Sequence, residues 1–121
     1  MKKLIPLFFL TLFFLSCNSQ EDLKSISTKE LKVLLEKDNI QLLDVRTPKE
    51  VQLGFIKTAK FANVFDADFS IKAANSLDKN KPVYIYCRSG RRSTKASEIL
   101  QEKGFKVVNV LGGYNQWGKE N

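Results

Sequence analysis

Residues 83–93 are Val83-Tyr84-Ile85-Tyr86-Cys87-Arg88-Ser89-Gly90-Arg91-Arg92-Ser93. The first four are apolar or aromatic, which is typical of a buried parallel strand. Residues 94–103 then show the spacing of an amphipathic helix, with Ser93 as its expected N-cap. The sequence therefore places a cysteine where a strand ends and a helix begins.

This position predicts a reactive thiol. Backbone N–H groups of residues 88–93 and the positive end of the helix dipole should point into the loop, and three arginines add charge. Such a setting lowers the pKa of a thiol and holds an anion beside it. Gly90 is expected to permit a tight or left-handed backbone. We therefore predict that Cys87 is a nucleophilic thiolate, open to an anionic substrate.

The spacing of the arginines separates two chemistries. Cysteine-dependent phosphatases need a cysteine, five residues and then an arginine, so that the guanidinium can clamp a phosphoryl group. Counting from Cys87, that arginine would fall at position 93, which is Ser93, whereas Arg92 arrives one residue early. The tighter loop suits a single sulfur atom. A phosphatase or arsenate reductase is therefore the less favoured enzyme class.

Elsewhere in the chain, helix and strand patterns alternate. Ser27-Thr28-Lys29-Glu30 is a capping box, residues 40–45 are a strand pattern, and Thr47-Pro48-Lys49-Glu50 predicts a second helix start. This order predicts an α/β fold whose mostly parallel sheet of about five strands carries helices on both faces. Asp44 and Arg46 should then lie at the same sheet edge as Cys87.

Four motifs, in order along roughly residues 25–118, give the chain a family resemblance. They are Leu43-Asp44-Val45-Arg46-Thr47-Pro48-Lys49-Glu50, Gly54-Phe55-Ile56-Lys57-Thr58-Ala59, Cys87-Arg88-Ser89-Gly90-Arg91-Arg92-Ser93 and Leu111-Gly112-Gly113-Tyr114-Asn115-Gln116-Trp117. Together they resemble the rhodanese (thiosulfate sulfurtransferase) family. The chain departs from the family pattern at Val51, Phe55 and Thr58, where an aromatic residue, His and Gly are usual.

The resemblance implies a three-layer α/β/α domain and a transferase that works without a cofactor. It implies that Cys87 takes the sulfane sulfur of a donor such as thiosulfate as a persulfide and passes it to a thiol or, in an assay, to cyanide. Arg92 matches the recurring arginine of the family, and Arg91 occupies its variable position.

The resemblance and the loop pattern together give each residue of the site an expected role. Arg88 should meet the sulfonate end of the donor, Ser89 and Gly90 should contribute amides, and Ser93 should cap the helix. Arg92 should brace the loop through carbonyl groups or Asp44. Arg46 could pair with Glu50, and both Asp44 and Arg46 are expected to be supporting residues.

The first residues predict export. Lys2 and Lys3 precede the apolar run 4–15, which is too short for a membrane-spanning helix of about twenty residues. Phe14-Leu15-Ser16-Cys17 resembles a bacterial lipobox, and an ordinary cleaved signal peptide is the alternative. We predict a signal peptide at 1–16, lipidation at Cys17, a tether at 17–24 and a folded domain at 25–121. The protein would then be anchored in the cell envelope, facing the periplasm.

Composition narrows the remaining choices. The chain has no histidine, which excludes Cys–His catalysis and His-based metal sites, and no metal is expected. Its net charge of +7 comes from scattered lysines, which favours a solvated basic surface over nucleic-acid binding. If Cys17 is lipidated, Cys87 is the one free thiol. A non-catalytic module that binds persulfides or a protein partner stays as an alternative.

Overall fold

The computed structural model describes residues 22–121, which form ten alternating strands and helices. The elements are β1 (Lys24–Ile26), α1 (Thr28–Lys37), β2 (Gln41–Asp44), α2 (Pro48–Gln52), β3 (Lys60–Phe61), α3 (Phe69–Ser76), β4 (Val83–Tyr86), α4 (Arg91–Glu102), β5 (Val107–Val110) and α5 (Gly113–Glu120). The predicted export signal, Cys17 and most of the tether lie outside the described residues. Within residues 22–121, no helix has the length and apolar character needed to cross a membrane.

The five strands form one parallel sheet in the order β1-β5-β4-β2-β3. Successive residues of a strand point to opposite faces, so that Leu42 and Leu43 enter different apolar clusters. On one face, Leu43 and Ile85 pack with α3 and α4; on the other, Leu42 packs with α1 and α5. This arrangement confirms the predicted α/β/α fold.

Two elements differ from the sequence prediction. Strand β1 was not predicted, and it begins at Lys24, the last residue assigned to the tether. Helix α4 begins at Arg91 instead of residue 94, because Gly90 takes a φ of 122° and serves as the N-cap. The prediction that Ser93 is the N-cap was therefore wrong, since Ser93 lies within the first turn.

Both predicted helix starts before the site are confirmed. Ser27 accepts a hydrogen bond from the backbone N–H of Glu30, whose carboxylate accepts one from the N–H of Ser27. Thr47 and Glu50 form the same reciprocal capping box at α2, where Pro48 occupies the first turn. These caps fix where α1 and α2 begin relative to the sheet.

Candidate active site

Cys87 lies at the carboxyl end of β4, and two groups of the following turn contact its sulfur. The backbone N–H of Gly90 donates to Sγ at 3.0 Å, and Ser93 Oγ lies 3.4 Å from Sγ. Because α4 begins three residues earlier than predicted, Ser93 faces the sulfur from the first turn of the helix. Amides and a hydroxyl of residues 89–93 therefore surround one sulfur atom.

The first turn of α5 fixes the outer side of this loop. The N–H of Tyr114 donates to the carbonyl of Cys87 at 2.8 Å, and the N–H of Asn115 donates to the carbonyl of Arg88 at 2.9 Å. With these carbonyls held away from the sulfur, the loop can present N–H groups to Sγ. A side chain at Gly113 would bring its Cβ within 2.5 Å of the carbonyl oxygen of Cys87, so this close backbone approach requires glycine.

The environment changes the acidity of the thiol. Burial raises the pKa of Cys87, but hydrogen bonds from the Ser93 hydroxyl and from the N–H groups of Ser93, Gly90 and Ser89 lower it. The hydrogen bonds outweigh the burial, so that the pKa lies below the ordinary value of the thiol. The loop thus favours the thiolate.

Access to the sulfur is more restricted than we expected from the sequence. Cys87 is only 1% exposed and belongs to the apolar cluster between the sheet and α4. The prediction of an open site was wrong, although the amides do face the sulfur. Arg88 and Ser89, on the outer side of the loop, are exposed. A cavity of about 680 Å³ is lined by Lys24, Pro82 and other residues near the amino ends of strands, and it does not include Cys87.

A chain of partly buried hydrogen bonds connects the loop to β5, and no sequence pattern quoted above predicted it. The carbonyl of Gly90 accepts from Ser93 Oγ at 3.1 Å, from Thr94 Oγ1 at 2.8 Å and from the Thr94 N–H at 3.2 Å. Asn109 Nδ2 in turn donates to Thr94 Oγ1 at 3.2 Å. A polar residue inside an apolar strand pattern, as at Asn109, was the available signal.

Arg92 braces the loop, but not through the predicted partners. Its two terminal nitrogens donate to the two carboxylate oxygens of Glu50 at 2.7 and 2.8 Å. This bidentate pair lowers the pKa of Glu50 to about 2. This pair joins α2 to the first turn of α4. Because Glu50 holds the Arg92 guanidinium, that group is not free to clamp a phosphoryl group.

Arg46 pairs with Asp44 and not with Glu50, which corrects the second predicted pair. Its Nη2 lies 2.7 Å from both Asp44 Oδ2 and the carbonyl oxygen of Gly54, and its guanidinium stacks on Tyr114, 4.3 Å from the ring centre. Asp44 and Arg46 are buried, so both charges depend on this partnership. The structure brings them to the sheet edge as supports that do not contact the sulfur.

The other two arginines of the loop are free to meet a ligand. Arg88 and Arg91 are exposed, and neither has a carboxylate within 4.0 Å in the described part of the chain. Two exposed arginine side chains therefore lie at the surface of a loop whose interior holds a thiol. Such a loop can attract an anion.

Comparison with known proteins agrees with this geometry. The family described as "Rhodanese-like domain" matches residues 27–120. YtwF of Bacillus subtilis is 40% identical over 100 residues, which cover 82% of this chain and 94% of that protein. Thiosulfate sulfurtransferase 18 of Arabidopsis thaliana is 32% identical over 114 residues, covering 84% and 83%. The crystal structure of a rhodanese-like domain protein from Staphylococcus aureus superimposes with a TM-score of 0.73 at 42% identity, covering 79% of this chain and 92% of that one.

Proposed function

The chain belongs to the rhodanese-like domain family, and we propose that it transfers sulfane sulfur through a persulfide on Cys87. Its similarity to proteins named as sulfurtransferases supports sulfur transfer as the general activity. The observation that carries the finer proposal is the pair of contacts on Sγ, from the Gly90 N–H and Ser93 Oγ. These groups stabilise negative charge on a sulfur atom.

The first step loads the enzyme. The Cys87 thiolate attacks the outer sulfur of thiosulfate, a bond forms between the two sulfurs, and the sulfur–sulfur bond of the donor breaks. Sulfite leaves with the electron pair of that bond, and Cys87 becomes a persulfide. Arg88 and Arg91 are the exposed cations that can attract the dianionic donor and offset the charge on the departing sulfite.

The second step discharges the enzyme. An acceptor thiolate attacks the outer sulfur of the persulfide, and the sulfur–sulfur bond to Cys87 breaks with its electron pair returning to the Cys87 thiolate. The Gly90 N–H that donates to Sγ, joined by the Ser93 hydroxyl once it turns its proton from the Gly90 carbonyl to the sulfur, stabilises the thiolate that leaves here. Cyanide can replace the thiol acceptor in an assay. Because one enzyme form is covalent, we expect ping-pong kinetics.

The covered sulfur sets a condition on the substrate. With Cys87 only 1% exposed, only a narrow group at the end of a donor can approach Sγ. A sulfane sulfur is a single atom at the end of its donor, and it needs less room than a phosphoryl group. This supports sulfur over phosphate chemistry, as does the commitment of Arg92 to Glu50.

We also propose that the protein acts in the bacterial cell envelope, anchored through a lipid on Cys17. The support is the sequence pattern of residues 1–17 alone. Replacing Cys17 with Ala should release the protein from the membrane fraction, while Ser19→Ala, which lies outside the lipobox and keeps the cysteine, serves as a matched control. Retention of the Cys17→Ala variant in the membrane fraction would contradict the anchor.

The persulfide is tested by intact-mass measurement after treatment with thiosulfate. To leave one thiol, the Cys17→Ala background is used. The expected result is one added sulfur atom on this protein and none on the same protein carrying Cys87→Ser. A freshly reduced protein that gains no sulfur would support the non-catalytic binding module instead. Hydrolysis of p-nitrophenyl phosphate that depends on Cys87 would support the phosphatase alternative.

A further inference from the structure

Four large apolar side chains are exposed between residues 53 and 65. Leu53 is 87% exposed, Phe65 68%, and Phe55 and Phe61 48% each. The rings of Phe55 and Phe61 pack edge to face, with their centres 5.1 Å apart. We call these four side chains the rim patch. Grouped apolar side chains at a protein surface mark a binding face more often than single ones do.

The rim patch lies at the same end of the sheet as Cys87. Phe61 is paired in register with Asp44 at the carboxyl end of β2, the strand beside β4. The ring of Phe65 lies 5.5 Å from the guanidinium carbon of Arg92, in the first turn of α4. Anything that covers the rim patch is therefore adjacent to the sulfur-binding loop.

Free cations lie near the rim patch, along the chain and on the neighbouring loop. Lys49 and Lys57 are exposed beside it along the chain, and Arg88 and Arg91 are exposed on the neighbouring loop. In residues 22–121, none of these four cations has a carboxylate within 4.0 Å. An apolar surface bordered by unpaired positive charge is complementary to an apolar surface bordered by acidic residues.

We propose that the rim patch is the docking face for an acidic protein that carries the acceptor thiol. This inference rests on the proposed sulfur transfer and identifies its acceptor. A small thiol would gain little from apolar side chains beside the loop. An anionic membrane would fit the charge and the phenylalanines, but it carries no thiol to accept the sulfur.

Docking of this partner determines which thiol receives the outer sulfur of the persulfide. The partner's thiolate attacks the outer sulfur of the Cys87 persulfide, and the bond between the two sulfurs of the persulfide breaks. The electron pair returns to Cys87, and the partner becomes the persulfide carrier. Apolar contact with the rim patch holds the partner during transfer, while the surrounding cations raise its rate of association.

Two matched peptides test the proposal. Each contains one cysteine and the same leucines; one has aspartates where the other has lysines. The full chain carrying Cys17→Ala is loaded with thiosulfate, and discharge of the Cys87 persulfide is followed by mass with each peptide and with cyanide. We expect discharge to the acidic peptide to be about tenfold faster than to the basic one at low salt, and the difference to shrink at high salt.

Two double variants separate the patch from the catalytic loop. Leu53→Ser with Phe61→Ser should slow discharge to the acidic peptide several-fold and leave discharge to cyanide unchanged. Lys49→Glu with Lys57→Glu should remove the preference for the acidic peptide. The matched controls are Val33→Ser and Lys32→Glu, which change an exposed apolar and an exposed basic residue of α1. Both controls should behave as the parent protein.

The outcomes distinguish this inference from the proposed function. Absence of any persulfide would overturn sulfur transfer itself. Normal discharge to cyanide with equal rates for the two peptides would overturn only the docking face. Binding to vesicles of anionic lipid that is lost in the Leu53→Ser, Phe61→Ser variant, with no peptide preference, would assign the patch to a membrane. Dimers that the same variant dissociates would assign it to a second copy of the chain.

Discussion

Helices α2 and α4 begin at the same edge of the sheet, after the neighbouring strands β2 and β4, but their first turns use their free N–H groups differently. At α2, Thr47 and Glu50 satisfy each other's backbone N–H groups in a capping box. At α4, the N-cap is Gly90, which has no side chain to offer, and its own N–H donates to Cys87 Sγ. A helix start left uncapped by side chains can therefore hold an anion, which at α4 is the thiolate of the chain's own Cys87.

The two helix starts are also coupled. Glu50 completes the cap of α2 and, with its two oxygens, holds Arg92 in the first turn of α4. The capped helix thereby braces the uncapped one. We expect substitutions at α2 to change mainly the free energy of unfolding. Substitutions at α4 should change mainly the reactivity of the Cys87 thiol.

The largest effect is expected from removal of the sulfur itself. Cys87→Ser keeps the size and the hydrogen bonds of the side chain but replaces the thiolate with a hydroxyl that does not ionise near neutral pH. Cyanide-dependent turnover of thiosulfate should fall to the rate of the uncatalysed reaction, while the melting temperature changes little. Measurable turnover by this variant would contradict a covalent role for Cys87.

The next effect separates the two serines of α4. Ser93→Ala removes the hydroxyl that faces the sulfur, so the pKa of Cys87 should rise and its alkylation near neutral pH should slow about tenfold, since a hydrogen bond to a charged group contributes roughly 1.5–3 kcal/mol. Ser97→Ala is the matched control, because Ser97 is buried one turn later and its Oγ has no hydrogen-bond partner in the described structure. Equal alkylation rates in the Ser93→Ala and Ser97→Ala variants would show that the Ser93 hydroxyl does not lower the pKa of Cys87.

A smaller effect is expected at the capped helix. Thr47→Ala removes the side-chain half of the capping box and should lower the free energy of unfolding by about 1 kcal/mol. Because Thr47 does not contact the sulfur, the alkylation rate of Cys87 should stay within about twofold of the parent. Chemical unfolding and alkylation of the same samples check both statements. A large loss of thiol reactivity would show that the start of α2 also controls the chemistry of Cys87, and not only the free energy of unfolding.

The smallest effect concerns acid. The pKa of Glu50 is lowered from 4.5 to about 2, so its pairing contributes stability that is fully present above pH 4.5 and is lost as the pH falls toward 2. Glu50→Gln keeps the oxygen that caps α2 but removes the charge, and it should be less stable than the parent near pH 7 by about 1 kcal/mol or less. Melting curves should converge as the pH approaches 2. A constant difference across that range would exclude the ion pair as its source.

Some features of the fold and of the site follow from local sequence patterns, and others depend on tertiary structure. The strand, the cysteine and the capping boxes follow from local patterns, so the fold and both capped helices were predicted correctly. The start of α4 depends on the φ of Gly90, and an error of three residues there turned Ser93 from a sulfur contact into a presumed cap. The Glu50–Arg92 pair joins residues 42 positions apart, and no local pattern specifies it.

The contact between α5 and the loop shows the same limit. The sequence shows Gly112-Gly113 only as part of a motif, but the structure shows that this pair lets the N–H groups of Tyr114 and Asn115 reach the carbonyls of Cys87 and Arg88. That requirement arises only when β4 and β5 lie side by side in the sheet. Burial of the sulfur likewise depends on tertiary packing, which is why the open site expected from the loop pattern was wrong.

The main claim is that the loop holds Cys87 as a thiolate, and titration of this thiol is its most direct test. In the Cys17→Ala background, the rate of alkylation of denatured and native protein is measured against pH, with the denatured chain as the reference for an unperturbed thiol. Because the N–H groups and the Ser93 hydroxyl outweigh burial, the native midpoint should lie below the denatured one. A native midpoint above the denatured one would mean that burial dominates and that the loop does not hold a thiolate.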